Sequence, residues 1–130
     1  MTMADVLVDT SAWISALRGS DERVQRIVDD LLADGRLVFC GVVELEILHG
    51  MRSSDRKRVL PLFSALPYIE VDREDWRAAG DLLRDLRQKG ITIPMSDALI
   101  GTLCLRHGLS LLTLDGHFEA VKGLRRVSVE

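Results

Sequence analysis

Short apolar runs alternate with helical patterns along the chain, and this alternation constrains the fold more than any other feature. Val6 to Val8 and Leu37 to Cys40 are apolar at every position, so neither face of such a strand is suited to water. Strands that are buried on both faces are typical of parallel sheets whose connections are helices. The predicted strands fall at 4–9, 37–40, 68–71, 110–115 and 126–129. We therefore predict an α/β fold with a short, mostly parallel central sheet and helices on both faces.

Helical patterns fill the intervals between these strands. From Val24 to Leu32 the apolar residues recur at the spacing of one helix face. Ser96 is predicted to cap a helix that ends at Gly108. Pro61 is predicted to interrupt a basic helix over 55–66. Further helices are predicted near 11–17, 42–51, 73–89 and 116–121.

The composition is that of one folded domain. The chain has 130 residues, of which 47% are hydrophobic and 28% are charged, which suits a real core under a polar surface. No internal repeat, low-complexity stretch or linker divides it, so residues 1–130 are predicted to form a single domain. The net charge of -3 does not match a strongly basic nucleic-acid binder. Binding of RNA would therefore depend on where the arginines lie.

The cysteines and the first residues indicate a compartment. Cys40 and Cys104 lie far apart among apolar neighbours, so two buried free thiols are expected. The N-terminal segment lacks the basic start and the long apolar run of a secretion signal. No stretch reaches the roughly 20 apolar residues that a membrane span needs. We expect a cytoplasmic protein without a membrane partner.

Four acidic residues follow predicted strands or begin predicted helices. Asp9 and Asp115 come directly after apolar runs, Glu46 lies on the helix after the second strand, and Asp97 lies in a first helical turn. Parallel sheets place their binding sites at the carboxyl ends of the strands. Taken singly, each acid has another explanation, as a helix cap, a turn residue or a solvated helix residue. Taken together they predict one site, although their spacing alone leaves the convergence open.

Four carboxylates in one pocket would need a cation. Clustered carboxylates repel each other, and their pKa values rise unless a cation joins them. Mg²⁺ and Mn²⁺ prefer oxygen ligands, and no cysteine or histidine pair is spaced for zinc. Such an ion lowers the pKa of a water molecule and stabilises an in-line displacement at phosphorus. The set therefore predicts a Mg²⁺ or Mn²⁺ site suited to phosphodiester chemistry.

Four segments carry a resemblance to a known family. They are LVDTSAWI (7–14), GVVELEILHG (41–50), IPMSDALIGTLCLRHG (93–108) and LLTLDGHFEAV (111–121). With these segments in order along its whole length, the chain resembles PIN-domain ribonucleases, specifically the VapC-type toxins of bacterial toxin–antitoxin pairs. The resemblance implies a three-layer α/β/α fold and cleavage of transfer or ribosomal RNA that depends on Mg²⁺ or Mn²⁺. It also implies a homodimer and a cognate VapB-type antitoxin that blocks the site.

The resemblance implies roles for individual residues by position. The four catalytic and metal-binding acids would be, in order, Asp9, Glu46, Asp97 and Asp115. Glu46 stands four residues before a glycine, as in the family's E-x-x-x-G pattern, whereas Glu44 is the reserve candidate. The supporting hydroxyls would be Thr10, Ser11 and Thr113. Relatives sometimes carry an acid where this chain has His117, so a fifth acid is not expected here.

A basic segment and two tryptophans admit two interpretations each. Arg52, Arg56 and Lys57 follow the second acid closely and could contact RNA phosphates or an acidic antitoxin segment, or form a solvated helix surface. Trp13 lies one helical turn after the first acid and could stack on a base, contact the antitoxin or belong to the core. Trp76 lies on an apolar stripe and is expected in the core or a dimer interface.

Two other functions fit parts of the pattern. A non-catalytic PIN-like scaffold would bind RNA or protein but would not need all four acids. A phospho-receiver signalling domain has a similar length and alternation, and Asp72 would be its acceptor after YIEV. No lysine takes the second role that a receiver needs.

Overall fold

A computed structural model describes residues 4–130 of the chain. Its strands are β1 (Val6–Val8), β2 (Leu37–Cys40), β3 (Tyr68–Ile69) and β4 (Ser110–Leu112). Its α-helices are α1 (Thr10–Arg18), α2 (Glu22–Ala33), α3 (Gly41–His49), α4 (Ser53–Ser64), α5 (Arg73–Gln88) and α6 (Met95–His107). A 3₁₀ helix follows at Gly116–Ala120. The predicted α/β class with helices between strands is confirmed.

The four strands form one parallel sheet in the order β3-β2-β1-β4. Leu7 in β1 pairs with Val38 on one side and with Leu111 on the other. The first three strands add outward in sequence order, and the chain then returns to place β4 on the opposite side of β1. Parallel sheets bind their ligands where the strand order reverses in this way. The fold therefore directs attention to the carboxyl ends of β1 and β4.

The core lies on both faces of the sheet. All residues of β1 and β2 are buried, as expected for strands with helices above and below. Trp13 on α1 packs edge-on against Phe39 of β2 and Phe63 of α4, with ring centroids 5.6 Å apart in both pairs. Trp13 is 1% exposed, so its predicted contact with RNA or antitoxin is wrong and the core interpretation is confirmed.

Two helices differ from the prediction at prolines. α4 runs through Pro61 without a break, because buried Val59 and Phe63 hold the helix to the core on both sides of it. α6 begins before Ser96, since Pro94 is its N-cap residue and no side chain caps it. A proline has a fixed φ and no N–H, and both properties suit the start of a helix. The predicted interruption at Pro61 and the predicted cap at Ser96 are therefore wrong.

Other local predictions have mixed outcomes. The predicted strand at 126–129 is reduced to one isolated bridge between Leu111 and Arg126. Trp76 is 59% exposed on α5, so it is not a core residue. Cys40 and Cys104 are both buried free thiols, as predicted. Within residues 4–130 the helices are too short or too polar to span a membrane.

A buried carboxylate joins α5 to α6, away from the carboxyl ends of β1 and β4. Asp75 is fully buried in the first turn of α5, where its side chain also accepts a hydrogen bond from the backbone N–H of Asp72. Nε of Arg106 donates to Asp75 Oδ1 at 2.8 Å, and Nε2 of His107 lies 3.0 Å from the same oxygen. Burial raises the pKa of this carboxyl, but these hydrogen bonds outweigh burial and hold its pKa below the usual value.

Candidate active site

Three predicted acids lie together at the carboxyl ends of β1 and β4. Asp9 follows β1 directly, Asp115 follows β4 after a short turn, and Asp97 lies in the first turn of α6. Asp9 and Asp97 are 3% and 8% exposed. Carboxylates are seldom buried unless they have partners, so the partners of each acid decide what the site can do.

Asp9 is held in place by three hydrogen bonds. Its Oδ1 accepts from the Ser11 hydroxyl at 2.7 Å and from the Ala12 backbone N–H at 3.1 Å. Its Oδ2 accepts from the hydroxyl of Thr113, which comes from the end of β4. Asp9 thus caps α1, which is the alternative role expected for it as a single residue. It also links β1 to β4, which a helix cap alone would not do.

The same hydroxyls order the turn that carries Asp115. The Ser11 hydroxyl accepts from the backbone N–H of Leu114 at 3.0 Å, and the Thr113 hydroxyl accepts from the N–H of Asp115 at 2.9 Å. Each hydroxyl therefore donates to Asp9 and accepts from the β4 turn. This arrangement fixes the position of Asp115 relative to Asp9.

Glu46 joins the site through Thr10. The Thr10 hydroxyl donates to Glu46 Oε1 at 2.8 Å, so the residue after Asp9 positions a carboxylate from α3. Glu44 lies two residues earlier on α3, and residues at that spacing point away from each other on a helix. The negative charge of Glu44 instead helps to raise the pKa of Tyr68, at the edge of the sheet. Geometry therefore favours Glu46 over the reserve candidate Glu44.

Burial and mutual repulsion weaken the acidity of this cluster. The pKa of Asp97 is raised to about 6: burial and the charges of Asp115 and Asp9 raise it, and the contact with His117 partly offsets them. Burial also raises the pKa of Asp9, against the three hydrogen bonds that it accepts, and the charge of Asp115 adds to the rise. The two buried acids are therefore only partly compensated within the protein, and a divalent cation would supply the missing positive charge.

His117 lies in contact with two of the acids. Its Nδ1 is 3.0 Å from Asp97 Oδ2 and 3.0 Å from Asp115 Oδ1. The hydrogen bond with Asp97 is the main cause that raises the pKa of His117. The sequence has no acid at this position, and the histidine was not among the predicted site residues. Its position two residues after Asp115, in a segment that resembles the family motif, was the available signal.

The chemistry of this cluster fits a divalent metal ion. Within residues 4–130, Asp97, Asp115 and His117 form the group that could supply three ligand atoms within 4.8 Å of one another. Asp9 lies outside that compact group but near enough for its charge to act on Asp97, and Glu46 is linked to the residue after Asp9 through the Thr10 hydroxyl. A nearby cation favours the charged form of a carboxylate, and hard divalent ions prefer oxygen ligands. The arrangement can therefore hold an ion and present it at the surface through Asp115 and His117, which are the more exposed members.

A basic groove adjoins Glu46. It has a volume of about 490 Å³ between α1, α3 and α4, and three arginines, two acids and apolar side chains line it; the charged residues are Arg18, Arg52, Arg58, Glu46 and Asp55. Arg52 and Arg58 both lie within ion-pair distance of Asp55, so one carboxylate stands between two guanidinium groups. Of the predicted contact residues, Arg52 lines this groove. Arg56 and Lys57 are exposed on α4 outside its lining. Arg18 was not among the predicted contact residues, because it lies on a different helix from the basic segment.

Comparison with known proteins gives a consistent result. A family model described as PIN domain matches residues 6–124. VapC ribonuclease Mb1587 of Mycobacterium bovis is 32% identical over 121 residues, which cover 89% of this chain and 90% of that protein. Ribonuclease VapC21 of Mycobacterium tuberculosis is 28% identical over 128 residues, which cover 95% of this chain and 91% of the relative.

Solved structures share the fold. DNA-bound VapBC from Salmonella typhimurium superposes with a TM-score of 0.81 at 21% identity, covering 96% of this chain and 98% of that one. VapC20 of Mycobacterium tuberculosis, described as a Sarcin-Ricin loop cleaving toxin, superposes with a TM-score of 0.69 at 20% identity, covering 95% of this chain and 98% of that one. At these identities the likeness establishes the three-layer α/β/α architecture.

Proposed function

This chain belongs to the PIN domain family, and on that premise we propose that it is a metal-dependent endoribonuclease toxin neutralised by a cognate VapB-type antitoxin. One observation carries the proposal: where the strand order of the sheet reverses, Asp97 and Asp115 lie close enough to share one ion, and Asp9 lies close enough for its charge to act on Asp97. The names of the sequence relatives describe ribonucleases. The solved neighbours include toxin–antitoxin complexes, which supports an antitoxin as the partner.

The proposed roles follow from the contacts. Asp97 and Asp115 would hold Mg²⁺ or Mn²⁺ directly. Asp9, fixed by Ser11 and Thr113, would complete the negative pocket and hold a water of the ion. Glu46 would also hold a water of the ion, from the side of the groove, where Thr10 sets the position of its carboxylate. When bound, the ion supplies an acidified water for in-line attack and neutralises charge on the phosphate.

The groove beside Glu46 would hold the RNA strand. Arg18, Arg52 and Arg58 give it positive charge next to an acidic site, although the chain as a whole carries a net charge of -3. A phosphate bound there would place the adjoining phosphodiester near the acids. We propose transfer or ribosomal RNA as the substrate class, a homodimer as the assembly and the cytoplasm as the location.

Cleavage of RNA with matched variants tests the proposal. Purified wild-type protein should cut cellular RNA at defined positions when Mg²⁺ or Mn²⁺ is present and should stop when EDTA is added, as read by sequencing of the new RNA ends. Asp9→Asn should abolish the cuts with the fold retained. Glu46→Gln should lose most of the activity, while Glu44→Gln on the same helix should retain it. Full activity of Asp9→Asn in a clean preparation would refute the site.

A separate measurement distinguishes the enzyme from a non-catalytic scaffold. Mn²⁺ at a hundred times its Kd should stabilise the wild-type fold by about 2.7 kcal/mol, which is a rise of several degrees in Tm. Asp97→Asn should remove most of that rise, whereas Asp85→Asn, an exposed acid on α5, should keep it. A scaffold without a metal centre would give no Mn²⁺-linked rise in either protein.

A further inference from the structure

His117 places a nitrogen atom among the oxygen donors of the metal centre. Its Nδ1 lies 3.0 Å from Asp97 Oδ2 and between 3.0 and 3.1 Å from the two oxygens of Asp115. Within the described residues, 4–130, these three side chains make up the compact group of candidate ligands. The group that could hold an ion thus contains one imidazole and two carboxylates, and the choice of ion depends on what the imidazole does.

We propose that His117 is a direct ligand of the ion, through Nδ1, and that it makes the centre prefer Mn²⁺ over Mg²⁺. The inference rests on the proposed metal-dependent function and adds to it the identity of a nitrogen ligand. It also assigns a physical basis for the choice between the two ions, which the acids alone leave open.

The distances are those of neighbouring ligands around one ion. In an octahedral complex with bonds of about 2.1 Å, adjacent ligand atoms lie about 3.0 Å apart. The Nδ1 of His117 has this separation from an oxygen of each carboxylate. The same 3.0 Å is an ordinary hydrogen-bond length, so what points to a shared ion is that Nδ1 lies equally close to both carboxylates.

The local backbone holds the imidazole in that position. The backbone N–H of His117 donates to Asp115 Oδ1 at 2.9 Å, so the start of the 3₁₀ helix folds the ring back towards the acids. The side chain of His117 is 52% exposed, while that of Asp97 is 11% exposed. The nitrogen therefore faces the acids from the solvent side, where water molecules can complete the coordination sphere.

The preference follows from ligand chemistry. Mg²⁺ takes oxygen ligands almost exclusively and gains little from an imidazole. Affinity for nitrogen donors rises along the first-row transition metals, and Mn²⁺ accepts carboxylate and imidazole together. A site with two carboxylates and one imidazole therefore stabilises Mn²⁺ more than Mg²⁺, compared with the same site without the imidazole.

Binding and spectroscopy on the full chain test the inference. Calorimetric titrations should show that His117→Gln lowers Mn²⁺ affinity about tenfold or more and changes Mg²⁺ affinity much less, so the ratio of the two affinities falls. His49→Gln, which alters an exposed histidine at the end of α3, should leave both affinities unchanged. Pulsed EPR on the Mn²⁺-loaded wild type should show coupling to a histidine nitrogen, and this coupling should vanish in His117→Gln.

A second variant keeps the result clear if the first one folds poorly. His117→Asp replaces the nitrogen by oxygen and should shift the preference towards Mg²⁺ with the circular dichroism spectrum unchanged. Mn²⁺ binding without nitrogen coupling, or with an unchanged Mn²⁺ to Mg²⁺ ratio in both variants, would overturn the role of His117 and leave the proposed function standing. Failure of the wild type to bind Mn²⁺ at all, or binding that Asp97→Asn does not weaken, would overturn the metal centre itself.

Discussion

Asp97 and Asp75 are both buried carboxylates with a histidine nitrogen 3.0 Å away, yet their surroundings act in opposite directions. Asp75 also accepts from Arg106 and from the backbone of Asp72, and its pKa is lowered. Asp97 stands near two further acids, and its pKa is raised to about 6. The first carboxylate has a guanidinium and a histidine as partners, whereas the second has a histidine alone and stands beside further negative charge. Burial of a charge marks a functional site only where the protein does not compensate it.

The largest expected effect is on catalysis at the uncompensated carboxylate. Asp97→Asn should lower RNA cleavage about 100-fold or more, because the metal centre contributes several kcal/mol to transition-state stabilisation. Single-turnover cleavage of a defined RNA at saturating Mn²⁺ measures this. Asp75→Asn, assayed at a temperature where it is folded, should keep the wild-type rate. Equal losses in the two variants would break the comparison.

Stability should respond in the reverse order. Asp75→Asn leaves Arg106 and His107 without a negative partner and should lower the free energy of unfolding by about 2 kcal/mol, less than for a fully buried pair because both partners are partly exposed. Asp97→Asn removes repulsion and should leave the metal-free protein as stable as the wild type or more so. Urea denaturation in EDTA tests both. A destabilised Asp97→Asn would show that this acid is structural too.

The two carboxylates should also make the free energy of unfolding depend on pH in opposite directions. The raised pKa of Asp97 favours its protonated form in the folded state, so this contribution to stability is full below pH 3.8 and is lost as the pH rises to about 6. The lowered pKa of Asp75 contributes stability that is present above pH 3.8 and is lost as the pH falls through its folded value. Each slope is at most about 1.4 kcal/mol per pH unit. Urea denaturation in EDTA from pH 3 to 7 measures the free energy of unfolding at each pH. Asp97→Asn should lose the fall in stability with rising pH, and Asp75→Asn should lose the rise.

The smallest expected effect concerns the histidine of the compensated pair. His107→Gln keeps a side-chain donor near Asp75, and Arg106 remains, so the loss of stability should be about 1 kcal/mol or less. Thermal unfolding of the variant and the wild type measures it. The contrast with His117→Gln, which should alter metal affinity and not the stability of the metal-free protein, sharpens the distinction between the two sites. A loss as large as that of Asp75→Asn would mean that His107, not Arg106, compensates the acid.

Much of the fold was predictable because its signals are local. Runs such as LVFC indicate buried parallel strands wherever they occur, and a parallel sheet brings Asp9 and Asp115 to the same edge once β1 and β4 are neighbours. The spacing of Glu46 from a glycine favoured it over Glu44, and the contact of Glu46 with Thr10 is consistent with that choice. These inferences needed only periodicity, strand direction and a motif.

The remainder depended on contacts between distant segments. The bonds of Asp75 to residues 31 and 32 positions later on α6 leave no periodic trace, so the ion pair of this buried acid was not predicted. Arg18 lines the groove only because α1 packs beside α3. Pro61 stays inside a helix because tertiary packing outweighs the local cost of a proline. His117 was visible in the sequence, but its role depends on Asp97, which folds against it from 20 residues away.

The contrast between the two tryptophans has a spectroscopic consequence. Indole emission shifts to shorter wavelength in an apolar environment, and Trp13 is enclosed by Phe39 and Phe63 while Trp76 is largely in water. A Trp76→Phe variant would therefore emit from the core alone, one helical turn from Asp9. Its fluorescence would report any change in the packing of Trp13 during titration with metal or RNA, without any added dye.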